Sequence, residues 1–204
     1  MRGRDIKRYS YEFADKYVIL AYFGSYKILP SKYPAIYNHL KQYEEKLKER
    51  GQCRYTSSGR TNNNGEYLGQ HHWLELDNNP RLEYLEEFNK QKIIYSEIVQ
   101  SPQFFLDERG EFFVEATSFL ITGEHLDYLV DWLNSSIIAW VFKQFYAGGG
   151  LGKKGFRYKK KFLEQLPIPK PRNDMKYENT NDLIKAYLDL TDEETNFISS
   201  SVNL

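Results

Sequence analysis

The sequence has little of what secreted, membrane-spanning or zinc-binding proteins carry. Its 204 residues include one cysteine, Cys53, so no internal disulfide can form. No apolar run approaches the ~20 residues of a membrane span, and because the charged opening residues have no apolar stretch behind them we expect no secretory signal. The four histidines fit no common zinc spacing. We therefore expect a cytoplasmic protein without a membrane partner.

Familiar catalytic motifs are also missing. A methyltransferase that acts on base amino groups would show a glycine-rich cofactor loop after a strand and an Asn-Pro-Pro-aromatic tetrapeptide, and neither occurs. A metal-dependent nuclease would need a Glu-x-Lys strand beside an Asp, and a phosphate-binding loop would need GxxxxGK followed by Ser or Thr. The one Glu-x-Lys, at 44–46, lies in a segment with helical apolar spacing, and no such phosphate-binding loop occurs. The sequence thus predicts no catalytic residue, no metal and no cofactor, and hence no enzyme activity in isolation.

The formal charge is zero, but the charges are arranged in blocks. Residues 1–60 carry 13 basic and 6 acidic side chains, and residues 61–142 carry 4 and 14. Residues 143–172 then carry 9 and 1, and residues 173–204 carry 2 and 7. If the fold brings the two basic blocks to one face, they form a positive surface of the kind that binds phosphate backbones. Otherwise they are ordinary solvated surface.

The residue pattern predicts an α+β fold, with a mainly antiparallel β-sheet flanked by two long helices and a small C-terminal helical appendage. Apolar spacing predicts the long helices over 33–50 and 124–146. Short β-rich runs predict strands over 16–23, 67–76, 92–99, 103–106, 111–116 and 118–122. The connections in the second half are too short for crossovers, so these strands should be antiparallel, with 103–106 and 111–116 forming a hairpin.

The pattern also predicts a short helix over 80–88. At the C-terminus it predicts two acidic helices over 180–198, with Thr191 as an N-cap and Glu194 completing its capping box. We expect one recognition domain over 1–172 and a short acidic helical tail over 173–204 that packs on it. Trp73, Tyr95 and Trp140 are predicted to lie in the core.

Two segments carry side chains suited to binding nucleic acid. The stretch 51–66 has no periodicity and is rich in Gly, Ser and Asn, which indicates either a functional loop or a flexible connection. Its candidate contacts, all able to reach base edges or phosphates, are Arg54, Arg60, Asn62, Asn63 and Asn64.

The second segment begins at Gly148 with five glycines in eight residues, followed by dense Lys and Arg interleaved with aromatic residues. Glycines let a backbone approach a ligand closely, cations neutralise phosphates, and the rings either anchor a strand or stack on bases. The candidate contacts here are Gly149, Lys153, Lys154, Arg157, Tyr158, Lys159, Lys160 and Lys161.

Five motifs occur in an order that resembles a known family. They are RGRDIKRY over 2–9; YP at 33–34 with NHL at 38–40 and a closing Arg50; WLEL over 73–76; KIIY over 92–95 leading into FLD at 105–107; and LNS over 133–135 followed by the basic stretch and FLEQLPIP over 162–169. The set resembles the TaqI-like C-terminal specificity domain of adenine-specific DNA methyltransferases and type II restriction-modification enzymes. The likeness covers nearly the whole chain.

The resemblance implies a target recognition domain that binds double-stranded DNA and recognises the sequence that a neighbouring domain methylates. In such enzymes the catalytic domain precedes this one, binds S-adenosylmethionine and flips the adenine out of the duplex. That domain is absent here, so the resemblance implies either a fragment of a longer protein, with or without a fused endonuclease, or a split gene. The resemblance also assigns DNA-binding roles to Arg2, Arg4, Lys7 and Arg8, whereas Asp5 is expected to be a structural partner of a nearby cation.

Two alternatives remain open from the sequence. One is half of a type I restriction specificity subunit, although the tail after Pro171 lacks the heptads of the coiled coils that follow such domains. The other is a protein-interaction module without DNA binding, in which the acidic stretches dock a basic partner.

Overall fold

The computed structural model describes residues 1–51, 53, 71–77, 80–147, 155–171 and 179–202. Contacts divide the chain into a large unit, Met1–Lys16 with Glu87–Leu204, and a small unit, Tyr17–Glu86. The strands are β1 (Ile6–Lys7), β2 (Ser10–Tyr11), β3 (Lys92–Ser96), β4 (Ile98–Val99), β5 (Phe104–Asp107), β6 (Ser118–Ile121) and β7 (Phe156–Arg157). The helices are α1 (Leu29–Lys32), α2 (Pro34–Lys41), α3 (Glu44–Lys48), α4 (Leu82–Glu87), α5 (Leu126–Asn134), α6 (Ser136–Val141), α7 (Lys160–Leu163), α8 (Thr180–Tyr187) and α9 (Asp192–Ser201).

A three-stranded antiparallel sheet forms the centre of the large unit. β3 lies between β5 and β6, with Ile94 opposite Phe105 on one side and Leu120 on the other. Every residue of β3 is buried because the strand has neighbours on both edges and helix α5 contacts it. The fold therefore mixes helices with small antiparallel sheets, as the α+β prediction requires.

The predicted hairpin between 103–106 and 111–116 is wrong, because β5 pairs with β3 and the structure has no strand over 111–116. The carboxylate of Asp107 accepts the backbone N–H groups of Glu111 at 3.1 Å and Phe112 at 3.0 Å. Gly110 has φ +68°, and a Cβ there would lie 2.4 Å from the carbonyl oxygen of Asn89. The hydrogen bonds to Asp107 therefore turn the chain away from β5, and this turn requires glycine at position 110.

The predicted strands over 16–23 and 67–76 are also not formed where the structure describes these residues. In 16–23 only Ala21 is buried, and single hydrogen bonds hold the segment, including one from Leu76 N to Ala21 O at 2.8 Å. Residues 71–76 form a turn beyond an isolated bridge between His71 and Cys53. High β-propensity did not produce strands here because a ladder needs a neighbouring strand, and the described part of the small unit has none.

The two predicted long helices are each divided. The first becomes α2 and α3, separated where Gln42 N and Tyr43 N bond to carbonyls three residues earlier. The second divides at Ser135, whose backbone is extended and whose hydroxyl accepts the N–H of Ile138 to cap α6. After α6 the chain continues as a wide π-helical turn over Phe142–Tyr146.

The large unit has a well-defined apolar core that includes the C-terminal tail. Ile93, Phe104, Trp132, Leu133 and Ile137 are at most 2% exposed and belong to a single cluster. The tail contributes buried side chains to the same cluster, namely Ile184 from α8 and Ile198 from α9. The predicted capping box of Thr191 and Glu194 is present, and it starts α9.

Contacts between the sequence motifs over 33–50 and 73–76 stabilise the small unit. Its core of Leu29, Trp73 and Leu74 packs against apolar residues of α2 and α3. Arg50 donates to the carbonyl oxygens of Trp73 at 2.7 Å and Glu75 at 2.8 Å. Arg50 is thereby fixed to the motif over 73–76. Within that region the buried carboxylate of Glu75 accepts the N–H of His72 at 2.8 Å.

Candidate nucleic-acid interface

The first basic motif is organised around an internal ion pair. Arg2 donates from Nη2 to Oδ1 of Asp5 at 2.7 Å and from Nε to Oδ2 at 2.9 Å, and the backbone N–H of Arg2 donates to Oδ2 at 3.0 Å. The Arg2 side chain holds the pKa of Asp5 at about 2, below its usual range. Asp5 is therefore a structural partner, as predicted, and Arg2 is partly neutralised.

This pair predicts a loss of stability in acid. The folded pKa of Asp5 lies below its unfolded value, so the stabilisation is complete above about pH 4 and is lost as the pH falls towards 2. We expect the Asp5→Asn variant to be less stable than wild type by about 1–2 kcal/mol at pH 7, and the difference to shrink at pH 2–3. Urea unfolding at a series of pH values measures this; a difference that does not change with pH would contradict it.

The remaining cations of the first motif are accessible. Arg4 and Arg8 are exposed, and Lys7 is half-buried, with Nζ donating to Arg4 O at 3.1 Å and 3.6 Å from Glu12. The Arg8 guanidinium lies over the Tyr9 ring, 5.4 Å from its centroid. Arg8 also lines an open cleft of about 510 Å³ with Asp131 and Asp182, so its surroundings carry mixed charge. Arg4 is exposed, and among the described residues no carboxylate forms an ion pair with it.

Buried and exposed side chains alternate along the start of the second basic segment. Phe156 and Tyr158 are buried while Arg157 and Lys159 are exposed, because successive side chains of an extended chain point to opposite faces. α7 then adds the exposed Lys160 and Lys161. Lys160 lies 3.6 Å from Glu164, and within the described ranges no carboxylate forms an ion pair with Arg157, Lys159 or Lys161. We call the four exposed cations of this segment, Arg157 and Lys159–Lys161, the cationic strip.

The two basic segments contact the same short stretch of the chain, residues 96–98, where β3 ends and β4 begins. A Cβ on Gly3 would lie 2.7 Å from the Ser96 hydroxyl, so the first motif packs directly against the end of β3. One residue further on, Tyr158 N donates to Glu97 O at 2.8 Å, and Ile98 pairs with Arg157 in the ladder of β4 with β7. Residues 96–98 therefore connect the first motif to the cationic strip within one unit.

Tyr158 is a correction to the candidate set. It is 2% exposed, and its ring lies 4.5 Å from that of Phe142 and 4.9 Å from that of Phe104. Burial raises the pKa of its hydroxyl. The aromatic residues of this segment were expected either to anchor the strand or to stack on bases, and for Phe156 and Tyr158 the structure gives the first role because both rings fill the core.

The buried hydroxyl of Tyr158 has no hydrogen-bond partner among the described residues, which leads to a stability prediction. Tyr158→Phe should leave the free energy of unfolding unchanged or raise it by about 1 kcal/mol, because an unsatisfied buried hydroxyl costs free energy. Tyr158→Ala should lower it by about 3–5 kcal/mol through the cavity it leaves. Chemical denaturation compares the variants; a loss of more than about 1 kcal/mol in Tyr158→Phe would show that the hydroxyl is bonded.

Several predicted contacts lie outside the described residues. These are Arg54, Arg60, Asn62, Asn63, Asn64, Gly149, Lys153 and Lys154. Sequence reasoning did not single out Lys143, which is exposed in the wide turn that follows α6. Its only sequence signal was its place at the start of the second basic block, within a segment predicted to be helical. Across the described ranges, no cluster of His, Cys, Asp and Glu could hold a metal, and no helix is long and apolar enough to cross a membrane.

These features define a domain that displays arginine and lysine side chains on a sheet-and-helix scaffold. The sequence model of a family described as the TaqI-like C-terminal specificity domain matches residues 1–168 of the chain. The chain belongs to this family, and the match confirms the resemblance drawn from the ordered motifs. No curated protein compared with the chain matches it.

Proposed function

We propose that this chain recognises a specific sequence in double-stranded DNA as the specificity domain of a restriction-modification methyltransferase. Membership in a family of specificity domains supports a role in target recognition. The observation that carries the proposal furthest is the connection of two cation-bearing segments through residues 96–98. Cations contributed by separate segments can contact phosphates at separate points and so fix the orientation of the protein on the duplex.

In this proposal the described cations position the duplex and do not read it. Lysine and arginine contacts to phosphate carry no sequence information, whereas base-edge contacts do. The reading residues are proposed to be Arg54, Arg60 and Asn62–Asn64, which lie outside the described residues. An upstream methyltransferase domain would bind S-adenosylmethionine and modify an adenine, and this chain would hold the duplex against it.

Titration of a labelled, randomised duplex with the chain, followed by fluorescence anisotropy at 50 and 150 mM salt, tests the proposal. We expect affinity that falls steeply with salt, because cation-phosphate contacts release counterions. A selection from the same random pool should then yield one enriched sequence. Absence of binding at 50 mM salt would contradict DNA recognition by this chain and favour the alternative of a protein-interaction module.

A further inference from the structure

The wide turn after α6 presents an exposed aromatic ring beside the second basic segment. Phe145 is 71% exposed, although apolar rings of this size usually lie in the interior. Its neighbours in the turn behave differently: Phe142 is fully buried, and the ring of Tyr146 lies 6.2 Å from that of Phe142. A single turn thus divides its aromatic residues between the core and the surface.

The π-helical geometry explains this division. Ala147 N donates to Phe142 O, five residues earlier, at 2.8 Å, so the turn holds one residue more than an α-helical turn. In a helix of 3.6 residues per turn, Phe145 would lie on the same face as Val141, which packs against the core. The extra residue in the turn rotates Phe145 away from that face, so Phe145 lies in solvent while Phe142 and Tyr146 pack on the core. Wide turns of this kind are frequent at functional sites.

The same turn packs against the elements that carry the cationic strip. The Phe142 ring lies 4.5 Å from that of Tyr158, which is flanked in the chain by Arg157 and Lys159. The hydroxyl of Tyr146 donates to the carbonyl of Gln165, just after α7, at 3.3 Å. Lys143, in the turn itself, is exposed. Phe145 is therefore an exposed apolar ring in a turn that carries Lys143 and contacts α7, the helix of Lys160 and Lys161.

We infer that Phe145 stacks on a base of the bound duplex, entering a groove or an opened base step while the cationic strip holds the adjacent phosphates. Every base has an apolar face that a ring can cover, and inserted apolar side chains unstack base steps in kinked duplexes. The described ring contact of Phe145 is a T-shaped one with Trp140, 6.1 Å between centroids, and such a contact covers at most one face, so most of the ring remains accessible. This inference rests on the proposed function.

The test compares Phe145→Ala with Phe197→Ala. Phe197 is a matched control because it is 62% exposed on the same unit but lies on α9, which begins with three acidic residues. In anisotropy titrations we expect Phe145→Ala to weaken duplex binding about tenfold, because the stacking contact with the base is lost, and Phe197→Ala to leave it within twofold. Phe145→Tyr and Phe145→Trp should restore the affinity because they keep an aromatic ring.

A second measurement separates stacking from a general loss of contact. Duplexes with 2-aminopurine at successive positions should show a rise in fluorescence at one step with wild-type protein, and this rise should disappear with Phe145→Ala. If wild type binds duplex and Phe145→Ala binds equally well with the same fluorescence, the stacking role is wrong while DNA recognition stands. If wild type binds no duplex at 50 mM salt, the proposed function fails first. Thermal unfolding of each variant should match wild type, since the exposed ring contributes little to the core.

Discussion

Replacing Lys159, Lys160 and Lys161 together with alanine should weaken duplex binding about a hundredfold or more at 50 mM salt. Each lysine that neutralises a phosphate contributes about 0.9 to the slope of log affinity against log salt, so losing three contacts should reduce that slope by about 2 to 3 units. Lys160 should contribute least, because Glu164 lies 3.6 Å from it, although both side chains are largely exposed and the pair is weak.

The loss should be equal on all sequences, because phosphate contacts carry no base information. Anisotropy titrations on a random duplex and on a selected duplex, each at four salt concentrations, measure both the slope and the ratio of affinities. A change in the ratio between the two duplexes would contradict the division between positioning and reading.

The matched control is Lys90→Ala, Arg109→Ala and Lys185→Ala combined. It removes the same net charge from the large unit, but each of these cations already lies beside a carboxylate, namely Glu87, Glu111 and Asp192. We expect a small change in affinity from the altered net charge and little change in slope. Equal effects of the two triple variants would show that binding depends on total charge and not on the cationic strip.

The sequence motifs predicted the family and much of the large unit because they correspond to hydrogen-bonded anchors. Asn134, in the motif over 133–135, donates to Phe104 O at 2.8 Å and accepts from Phe104 N at 3.1 Å, which fixes α5 to the edge of β5. Arg2 with Asp5 organises the first motif, and Arg50 links two motifs of the small unit. Such anchors need particular residue types at particular positions, so their order is visible in the sequence.

What the sequence did not predict depends on neighbours that lie far away in the chain. Apolar runs over 16–23 and 111–116 have strand propensity, but a strand forms only where another strand accepts its hydrogen bonds. The division of the second long helix at Ser135 follows from the Asn134 anchor and the Ser135 cap, which compete with helical continuation.

In the candidate interface, the sequence predicted features that depend on local composition and missed those that depend on contacts between distant residues. The cations at 157 and 159–161 were identified from the dense charge of their segment and from its place in the ordered motifs, and the structure shows them exposed. The burial of Tyr158 required the core contacts of Phe104 and Phe142 to be known. The exposure of Phe145 required a π-helical turn that apolar periodicity does not signal, because the local sequence is compatible with a regular helix.

The second large expected effect is on stability, at the buried pair of Lys92 and Asp107. The two residues face each other across β3 and β5, with Nζ 2.5 Å from Oδ2, and both side chains are at most 2% exposed. Lys92 also donates to Phe88 O at 2.7 Å. Removing one partner of a buried ion pair leaves an uncompensated charge and typically costs about 3–5 kcal/mol.

The two partners should not be equivalent, because Asp107 also accepts the N–H groups of Glu111 and Phe112. Lys92→Met leaves the carboxylate with two backbone donors that offset part of its charge, so we expect a loss of about 3 kcal/mol. Asp107→Ala leaves the ammonium group without its carboxylate partner and also releases the turn at Gly110, so we expect about 5 kcal/mol. The combined variant Lys92→Met with Asp107→Ala leaves no unpaired buried charge, so it should be less destabilised than the sum of its two single changes.

Urea unfolding of these variants and a double-mutant cycle measure the two contributions separately. Lys90→Met is the matched control, since Lys90 is 57% exposed beside Glu87 and its loss should cost less than about 1 kcal/mol. Equal losses in Lys92→Met and Asp107→Ala would show that the turn hydrogen bonds contribute nothing. Losses below about 1 kcal/mol in both would show that the pair is replaceable by apolar contacts, as the desolvation cost of buried ions permits in some proteins.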